Sequence, residues 1–136
     1  MSQIAFITGA TSGFGAACAR RFAAHGWRLI VCGRRQDRLE ALRAELAATV
    51  PVHAVALDVR DEAAVNAAVA ALPADFAEVD LLVNNAGLAL GLEPAHRCPM
   101  DDWQRMVDTN IKGLLYCTHA ILPGMVARDR GHVVNI

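Results

Sequence analysis

Short runs of apolar residues recur along the chain, and the first four of them lie roughly 25 residues apart. Uninterrupted apolar runs of this kind are typical of parallel strands that are buried on both faces of a sheet. Because the segments between the runs are rich in Ala and Leu, we expect the connections to be helical. The strands are predicted at residues 4–7, 29–32, 52–57, 79–83 and 132–136.

The segments between the runs carry helical patterns. Leu39, Leu42 and Leu46 recur at i, i+3 and i+7 with charged residues between them, which predicts an amphipathic helix after the second strand. Gly26 is placed to end the first helix, and Asp61 is placed to cap the third. Other segments are predicted as helices at residues 14–25, 62–72 and 103–125, with irregularities at 113 and 123–124, and as a surface loop at 88–99.

Alternating strands and helices form right-handed βαβ units. The sequence therefore predicts an α/β fold, a Rossmann-type, doubly wound parallel sheet with about five strands present, in one domain over residues 1–136. Ligands of such sheets bind beyond the carboxyl ends of the strands, near the point where the strand order reverses. The candidate functional residues should therefore follow the strands.

A glycine-rich turn follows the first strand, with the sequence T-G-A-T-S-G-F-G at residues 8–15. Backbone N–H groups and the positive end of a helix favour bound phosphate, and glycines keep Cβ atoms out of its way. The alternative is a glycine-rich loop that merely turns the chain. The residues that we expect to contact a dinucleotide here are Gly9, Ala10, Thr11, Ser12, Gly13, Phe14 and Gly15.

Arg34 and Arg35 follow the second strand, with no acidic residue before Asp37. A guanidinium suits the 2′-phosphate of NADP, whereas the 2′-hydroxyl of NAD calls for a carboxylate at this position. We therefore predict NADP as the cofactor. The alternative is a pair of solvated arginines before a helix, although a positive charge at a helix start opposes the helix dipole.

Composition restricts the partners. The chain has 13 basic and 14 acidic residues, a formal net charge of −1, and no run of like charge, so we expect no nucleic acid and no acidic membrane surface as a partner. No stretch looks long and apolar enough to span a bilayer, and the first strand leaves no room for a signal peptide. The four cysteines lack metal-ligand spacing, so we expect buried thiols, no metal and a cytoplasmic protein.

Four motifs in this order resemble the short-chain dehydrogenase/reductase family: residues 8–15, D-V at 58–59, N-N-A-G at 84–87 and N-I-K-G at 110–113. Residues 33–39, 84–96 and 122–126 are similar more narrowly to the NADP-dependent 3-hydroxy acid dehydrogenases, which also reduce malonic semialdehyde and oxidise serine. The resemblance implies hydride transfer between NADP(H) and a small 3-hydroxy acid or its carbonyl form. It also implies an NAD(P)-binding domain that is commonly paired with a second copy through the helix over residues 110–125. The alternative is that the apolar residues of this helix are buried within one subunit.

The resemblance implies roles for individual residues. The turn would hold the pyrophosphate and the adjacent ribose, while Asp58 and Val59 would contact the adenine. Asn85, with Ala86 and Gly87, would lie beside the nicotinamide ribose. Asn110 would be the asparagine of the catalytic tetrad, holding a water in a proton relay where the helix is locally distorted. The alternatives are that Asp58 caps the next turn and that Asn110 bonds to backbone groups.

The sequence departs from the family at the proton donor. That donor is a tyrosine in a Y-x-x-x-K motif, assisted by a serine, and both come after the fifth strand. The only tyrosine here, Tyr116, is followed by Ala120 where the lysine should stand. We therefore expect the domain to be incomplete at its carboxyl end and inactive alone. Three interpretations stay open: part of a reductase, a non-catalytic dinucleotide-binding module, and a truncated, inactive fragment.

Overall fold

Five parallel strands form one sheet in the computed structural model, which describes residues 2–136. The order across the sheet is β3-β2-β1-β4-β5, so the chain moves outward on one side of β1 and then returns to its other side. This arrangement confirms the predicted α/β, doubly wound parallel sheet. The strands are β1 Ile4–Ile7, β2 Arg28–Gly33, β3 Val52–Ala56, β4 Leu81–Asn84 and β5 His132–Asn135.

Helices connect the strands, and a π-helical turn interrupts the last helical stretch. The α-helices are α1 Gly13–Ala24, α2 Gln36–Ala47, α3 Glu62–Ala70, α4 Met100–Val107 and α5 Leu114–Ala127. The π segment Asp108–Gly113 joins α4 to α5, and short 3₁₀ turns lie at Ala74–Phe76 and Ala95–Arg97. Gly26 has a φ of +79°, as expected of a residue that ends a helix, and the Asp61 carboxylate accepts a hydrogen bond from the Ala64 N–H at 3.0 Å.

Several predicted boundaries differ from the structure by a few residues. The predicted helix over residues 103–125 begins earlier, at Met100, and the irregularity expected at Gly113 is the end of the π segment. The second expected irregularity is absent, because α5 continues without interruption through Pro123 to Ala127. Helix ends and strand ends depend on frayed hydrogen bonds, so a pattern of apolar residues locates them only to within a residue or two.

The two faces of the sheet are covered by separate hydrophobic clusters. Ala5 and Ile7 of β1 point to the side that packs against α1 and α2, where the predicted Leu39, Leu42 and Leu46 are all buried. Ile4 and Phe6 point to the opposite side. They join buried residues of α3 and α5, namely Val65, Cys117, Ile121 and Met125. The two-residue period of the strand therefore divides one apolar run between two cores.

A buried carboxylate fixes the amino-terminal edge of the sheet. Asp80, only 5% exposed, lies immediately before β4. One of its oxygens accepts a hydrogen bond from the Ile4 N–H of β1 at 2.9 Å, and the other accepts from Arg130 Nε at 2.7 Å. Because Arg130 stands just before β5, this single side chain ties together the starts of three strands. The edge opposite to the predicted site is thus held by polar contacts.

The cysteines only partly match the prediction of buried thiols. All four are free, and Cys32 and Cys117 are buried, but Cys18 and Cys98 are only half-buried. Burial raises the pKa of Cys117 to about 11 and that of Cys32 well above its ordinary value. Within residues 2–136, no helix has both the length and the apolar character that crossing a bilayer requires.

Candidate functional site

A cleft of about 530 Å³ opens at the carboxyl ends of the strands, between β1 and β4 where the strand order reverses. Segments that follow β1, β2, β3 and β4 all contribute to it, as does the π segment. The position agrees with the rule for ligand sites in open α/β sheets. Of the predicted residues, Gly9, Thr11, Ser12, Gly13, Phe14, Arg34, Arg35, Asp58, Val59, Asn85, Ala86 and Gly87 line this cleft.

The glycine turn is shaped by two close backbone approaches. Gly9 has a φ of +59°, and a Cβ added there would lie 2.9 Å from the Cα of Ala86. A Cβ added at Gly15 would lie 2.2 Å from the carbonyl oxygen of Gly9 and 2.4 Å from Nδ2 of Asn85. No residue other than glycine fits at these distances without moving the backbone. The start of α1 is thereby held directly against the ends of β1 and β4.

Gly13 differs from the other two glycines of the turn. Its φ is +54°, and an added Cβ would have no atom within 4 Å, so its backbone borders open space in the cleft. Ser12, which precedes α1, makes no side-chain cap hydrogen bond. The first N–H groups of a helix have no partner within the helix. Together these features leave the positive end of α1 facing the cleft, an arrangement that suits an anion.

Thr8 and Asn85 lock the turn to the end of β4. The buried Thr8 hydroxyl accepts hydrogen bonds from the N–H groups of Asn85 at 3.0 Å and Ala86 at 2.9 Å. In return, Nδ2 of Asn85 donates to the carbonyl oxygens of Gly9 at 3.0 Å and Thr8 at 3.2 Å. The amide of Asn85 therefore serves to hold the glycine turn in place.

Three arginines form the positive end of the cleft. Arg34 and Arg35 follow β2, and Arg38 lies one helical turn beyond Arg34 at the start of α2. All three are exposed and line the cleft. Other arginines form ion pairs, but among residues 2–136 none of these three does. Their guanidinium groups remain available to an anion that enters the cleft.

Asp58 at the end of β3 is paired with Arg60. Its Oδ1 accepts hydrogen bonds from the Arg60 N–H and from Arg60 Nε, both at 3.0 Å, and its Oδ2 accepts from Nη2 at 2.7 Å. The hydrogen bonds from the Arg60 side chain hold the pKa of Asp58 below its ordinary value, and the charge of Arg34 acts in the same direction. The bond to the backbone is the turn cap that the sequence left open as the alternative role.

Asn110 lies in the π segment, where the sequence predicted a local distortion of the helix. Its Oδ1 accepts a hydrogen bond from the N–H of Leu88, and its Nδ2 donates to the carbonyl oxygen of Leu88, both at 2.8 Å. The side chain thus joins the π segment to the loop after β4. This backbone bonding is the alternative that the sequence left open for Asn110.

Ala10, Gly15 and Asn110 are the three predicted residues that do not line the cleft. Ala10 is buried behind it, Gly15 is closed off by Gly9 and Asn85, and the side chain of Asn110 is turned to Leu88. The sequence analysis missed some lining residues, namely Cys32, Gly33, Arg38, Leu57, Leu88, Thr109 and Ile136. The spacing of three residues from Arg35, the residue that precedes α2, could have revealed Arg38, since side chains at these two positions lie near each other at a helix start. Thr109, whose buried hydroxyl has no hydrogen-bond partner among residues 2–136, gave no such signal.

Comparisons with known proteins agree with this geometry. A family model described as short chain dehydrogenase matches residues 3–136. NADP-dependent 3-hydroxy acid dehydrogenase YdfG from Salmonella typhi is 55% identical over 134 residues, which are 98% of this chain and 53% of that protein. Serine 3-dehydrogenase from Rhizobium radiobacter is 55% identical over 136 residues, which are 100% of this chain and 53% of that protein. These relatives confirm the resemblance inferred from the motifs.

A solved structure described as the closed form of serine dehydrogenase complexed with NADP+ has the same fold, with a TM-score of 0.92 and 51% identity. The match covers 98% of this chain and 53% of that chain. This chain spans about half the length of the curated relatives it matches.

Gly15→Ala is expected to destabilise the fold by about 1–3 kcal/mol, because the new methyl group would overlap the Gly9 carbonyl and the Asn85 amide. Urea unfolding measures the change in the free energy of unfolding. Gly124→Ala in α5 is the matched control, since its methyl group meets the flexible end of Arg128 at 3.0 Å. Alanine is the better helix former, so this control should be neutral or stabilising. Equal stability of the two variants would contradict the close approach at Gly15.

Proposed function

The chain belongs to the short-chain dehydrogenase family, and we propose that it forms the dinucleotide-binding part of an NADP-dependent oxidoreductase. The reaction is hydride transfer between NADP(H) and a small 3-hydroxy acid or its carbonyl form. The names of two relatives support the substrate class, since one is a 3-hydroxy acid dehydrogenase and the other acts on serine, which carries its hydroxyl at the same carbon. A small-molecule substrate also agrees with a chain of net charge −1 and no long run of like charge.

The observation that carries this proposal is the distribution of anion-binding groups in one cleft. At one end the backbone at Gly13 is open and the start of α1 faces the cleft, which suits a pyrophosphate. At the other end stand Arg34, Arg35 and Arg38 without ion-pair partners among residues 2–136, which suits a 2′-phosphate. The carboxylate of Asp58 is engaged by Arg60 and is not free to accept from a 2′-hydroxyl. The residues present therefore fit NADP better than NAD.

Each part of the cleft receives a role in this proposal. The turn over residues 9–15 holds the pyrophosphate and its ribose, Asp58 and Val59 border the adenine, and residues 85–87 border the nicotinamide ribose. The bound cofactor supplies the hydride. Asn110, the asparagine of the tetrad by resemblance, contributes to proton relay from the π segment, and its bonds to Leu88 keep that segment against the cleft. All of these groups are already positioned by contacts within the chain.

The alternative function is a catalytically inactive dinucleotide-binding fragment. It is favoured by one observation: Tyr116 is the only tyrosine among these 136 residues, and no lysine stands four positions after it. The half-buried Tyr116 lies in α5 and packs with the hydrophobic cluster beneath the sheet. It does not line the cleft, so it is not placed to give a proton to a substrate there.

Replacing Arg34, Arg35 or Arg38 with alanine should weaken NADPH binding by about 10- to 100-fold, the loss expected for a charge-assisted hydrogen bond. NADH binding should change little, because NADH lacks the 2′-phosphate. Fluorescence titration with both cofactors provides the measurement. Arg43→Ala is the control, since Arg43 lies in α2 together with Arg38 but is paired with Glu40 outside the cleft. Equal affinity of the unsubstituted protein for NADPH and NADH would contradict the choice of NADP.

The 136-residue chain, assayed alone, should not turn over malonic semialdehyde with NADPH or serine with NADP. Loss of a positioned acid alone costs about 10²- to 10⁴-fold in rate. The assay follows absorbance of the reduced cofactor, with a nucleotide-binding titration of the same sample as the control for folding. Turnover that Asn110→Ala abolishes would show that these residues already form a complete active site.

A row of exposed apolar side chains supports a further part of the proposal, self-association. The row follows α4, the π segment and α5 at helical spacing, and its members are Trp103, Val107, Ile111, Leu115, Leu122 and Val126, each at least 40% exposed. A contiguous apolar face of this kind marks an interaction site, and a second copy presents the same face about a two-fold axis. We therefore propose that the protein forms a homo-oligomer through this row.

Leu115→Glu should weaken this self-association at least tenfold, because it places a charge at the centre of the apolar row. Sedimentation equilibrium over a range of protein concentrations measures the association constant. Ala63→Glu, at an exposed position of α3, introduces the same charge away from the row and should leave association unchanged. If the unsubstituted protein stays monomeric at every concentration, the proposed contact is wrong.

A further inference from the structure

Arg60 donates hydrogen bonds to the Asp58 carboxylate from both its side chain and its backbone N–H. Its Nε lies 3.0 and 3.2 Å from the two carboxylate oxygens, its Nη2 lies 2.7 Å from Oδ2, and its own N–H is 3.0 Å from Oδ1. A planar guanidinium that meets both oxygens of a carboxylate fixes its orientation as well as its position. Asp58 lines the cleft, whereas Arg60 does not. Arg60 therefore has no direct contact with the cleft, and its nearest link to a ligand there is Asp58.

Asp58 also faces the positive end of the cleft. After the hydrogen bonds of Arg60, the charge of Arg34 is a further influence that keeps the pKa of Asp58 low, so the two charges are within electrostatic range. Arg34 forms no ion pair among residues 2–136, and it lines the same cleft as Asp58. A carboxylate no longer held by Arg60 would therefore share the cleft with a guanidinium of opposite charge that has no ion-pair partner among residues 2–136.

A second carboxylate, in the π segment, also acts on Arg60. The negative charge of Asp108 in the π segment acts on Arg60 in addition to that of Asp58. Asp108 itself is paired with Lys112 at 3.4 Å, one helical turn further along. Both carboxylates attract Arg60, whereas the like charge of Arg34 repels it, and this balance favours the Asp58–Arg60 pair.

We propose that Arg60 is a positioning residue for cofactor choice: by holding the Asp58 carboxylate, it keeps Arg34 free to bind a 2′-phosphate. This inference rests on the proposed function, in which the arginine cluster binds that phosphate. The Asp58–Arg60 pair is neutral, so the cluster keeps its full positive charge. Without Arg60, the carboxylate neutralises one of the three guanidinium groups and repels the incoming phosphate.

The test compares two ligands that differ only in the substituent on the 2′ carbon of the ribose. Adenosine 2′,5′-bisphosphate carries the 2′-phosphate, whereas adenosine 5′-monophosphate carries a hydroxyl there, and both contain the same adenine. The ratio of their dissociation constants, measured by isothermal titration calorimetry, therefore cancels any loss of contact with the base. Arg60→Ala should lower the preference for the bisphosphate by about 5- to 30-fold, the effect of one added negative charge at short range.

Removal of the carboxylate should restore the preference. In the double variant Arg60→Ala/Asp58→Asn no carboxylate competes for Arg34, so the ratio should return to that of the unsubstituted protein, whose Asp58–Arg60 pair is also neutral. Arg43→Ala is the matched control. Arg43 also donates hydrogen bonds to a carboxylate, that of Glu40, but neither of these two residues lines the cleft. That variant should leave the ratio unchanged.

The outcomes separate this inference from the proposal on which it rests. An unsubstituted protein that binds both ligands equally would overturn the choice of NADP and the role of Arg60 with it. A protein that prefers the bisphosphate, and keeps that preference in Arg60→Ala, would overturn the role of Arg60 alone. An equal loss of affinity for both ligands in Arg60→Ala would also overturn it, since Arg60 would then act on the base or on the fold. Failure of Asp58→Asn to rescue the ratio would exclude Asp58 as the intermediary.

Discussion

The absence of a side chain at Gly15 is the constraint on which the carboxyl edge of this sheet depends. Because no Cβ intervenes, α1 begins against the carbonyl of Gly9 and the amide of Asn85. This close packing also allows the side chain of Asn85 to donate a hydrogen bond to the glycine turn. It likewise allows the Thr8 hydroxyl to accept hydrogen bonds from the backbone after β4. A larger residue at position 15 would separate the helix start from the strand ends. The strand order places the cleft at the switch point, and this contact holds the glycine turn that borders it.

The π segment closes the other side of the cleft by joining two loops that are distant in the sequence. Asn110 holds the main chain at Leu88, after β4, and Gly113 packs against Val59, after β3, where an added Cβ would lie 2.6 Å from a methyl group. A π turn adds a residue to the helix and so re-aims the side chains that follow it. This local change in helix geometry lets one segment contact the ends of two strands.

The charges of the chain are nearly balanced in total but are separated in space. The amino edge of the sheet holds the buried Asp80 with its hydrogen bonds to β1 and to Arg130, which stabilise the starts of the strands. The carboxyl edge holds three arginines without ion pairs among residues 2–136, next to a carboxylate neutralised by Arg60. Isolated charges are tolerated there because the cleft is open to water, which screens them until an anion displaces it.

The sequence by itself determined the order of strands and helices along the chain. Strands buried on both faces of a parallel sheet require uninterrupted apolar runs, and Leu39, Leu42 and Leu46 repeat with the helical period. It also determined which strand ends carry the site, since each polar motif directly follows an apolar run. Only the tertiary structure decided what each side chain does there. Asn85 and Asn110 bond to backbone, Asp58 is held by Arg60, and Arg38 and Thr109 enter the cleft. The physical reason is that Asn85 and Asn110 bond to residues far away in the chain, and that even the partner of Asp58, two residues away, depends on how the backbone folds there. Neither hydrophobic periodicity nor motif spacing records which partner a polar group will find.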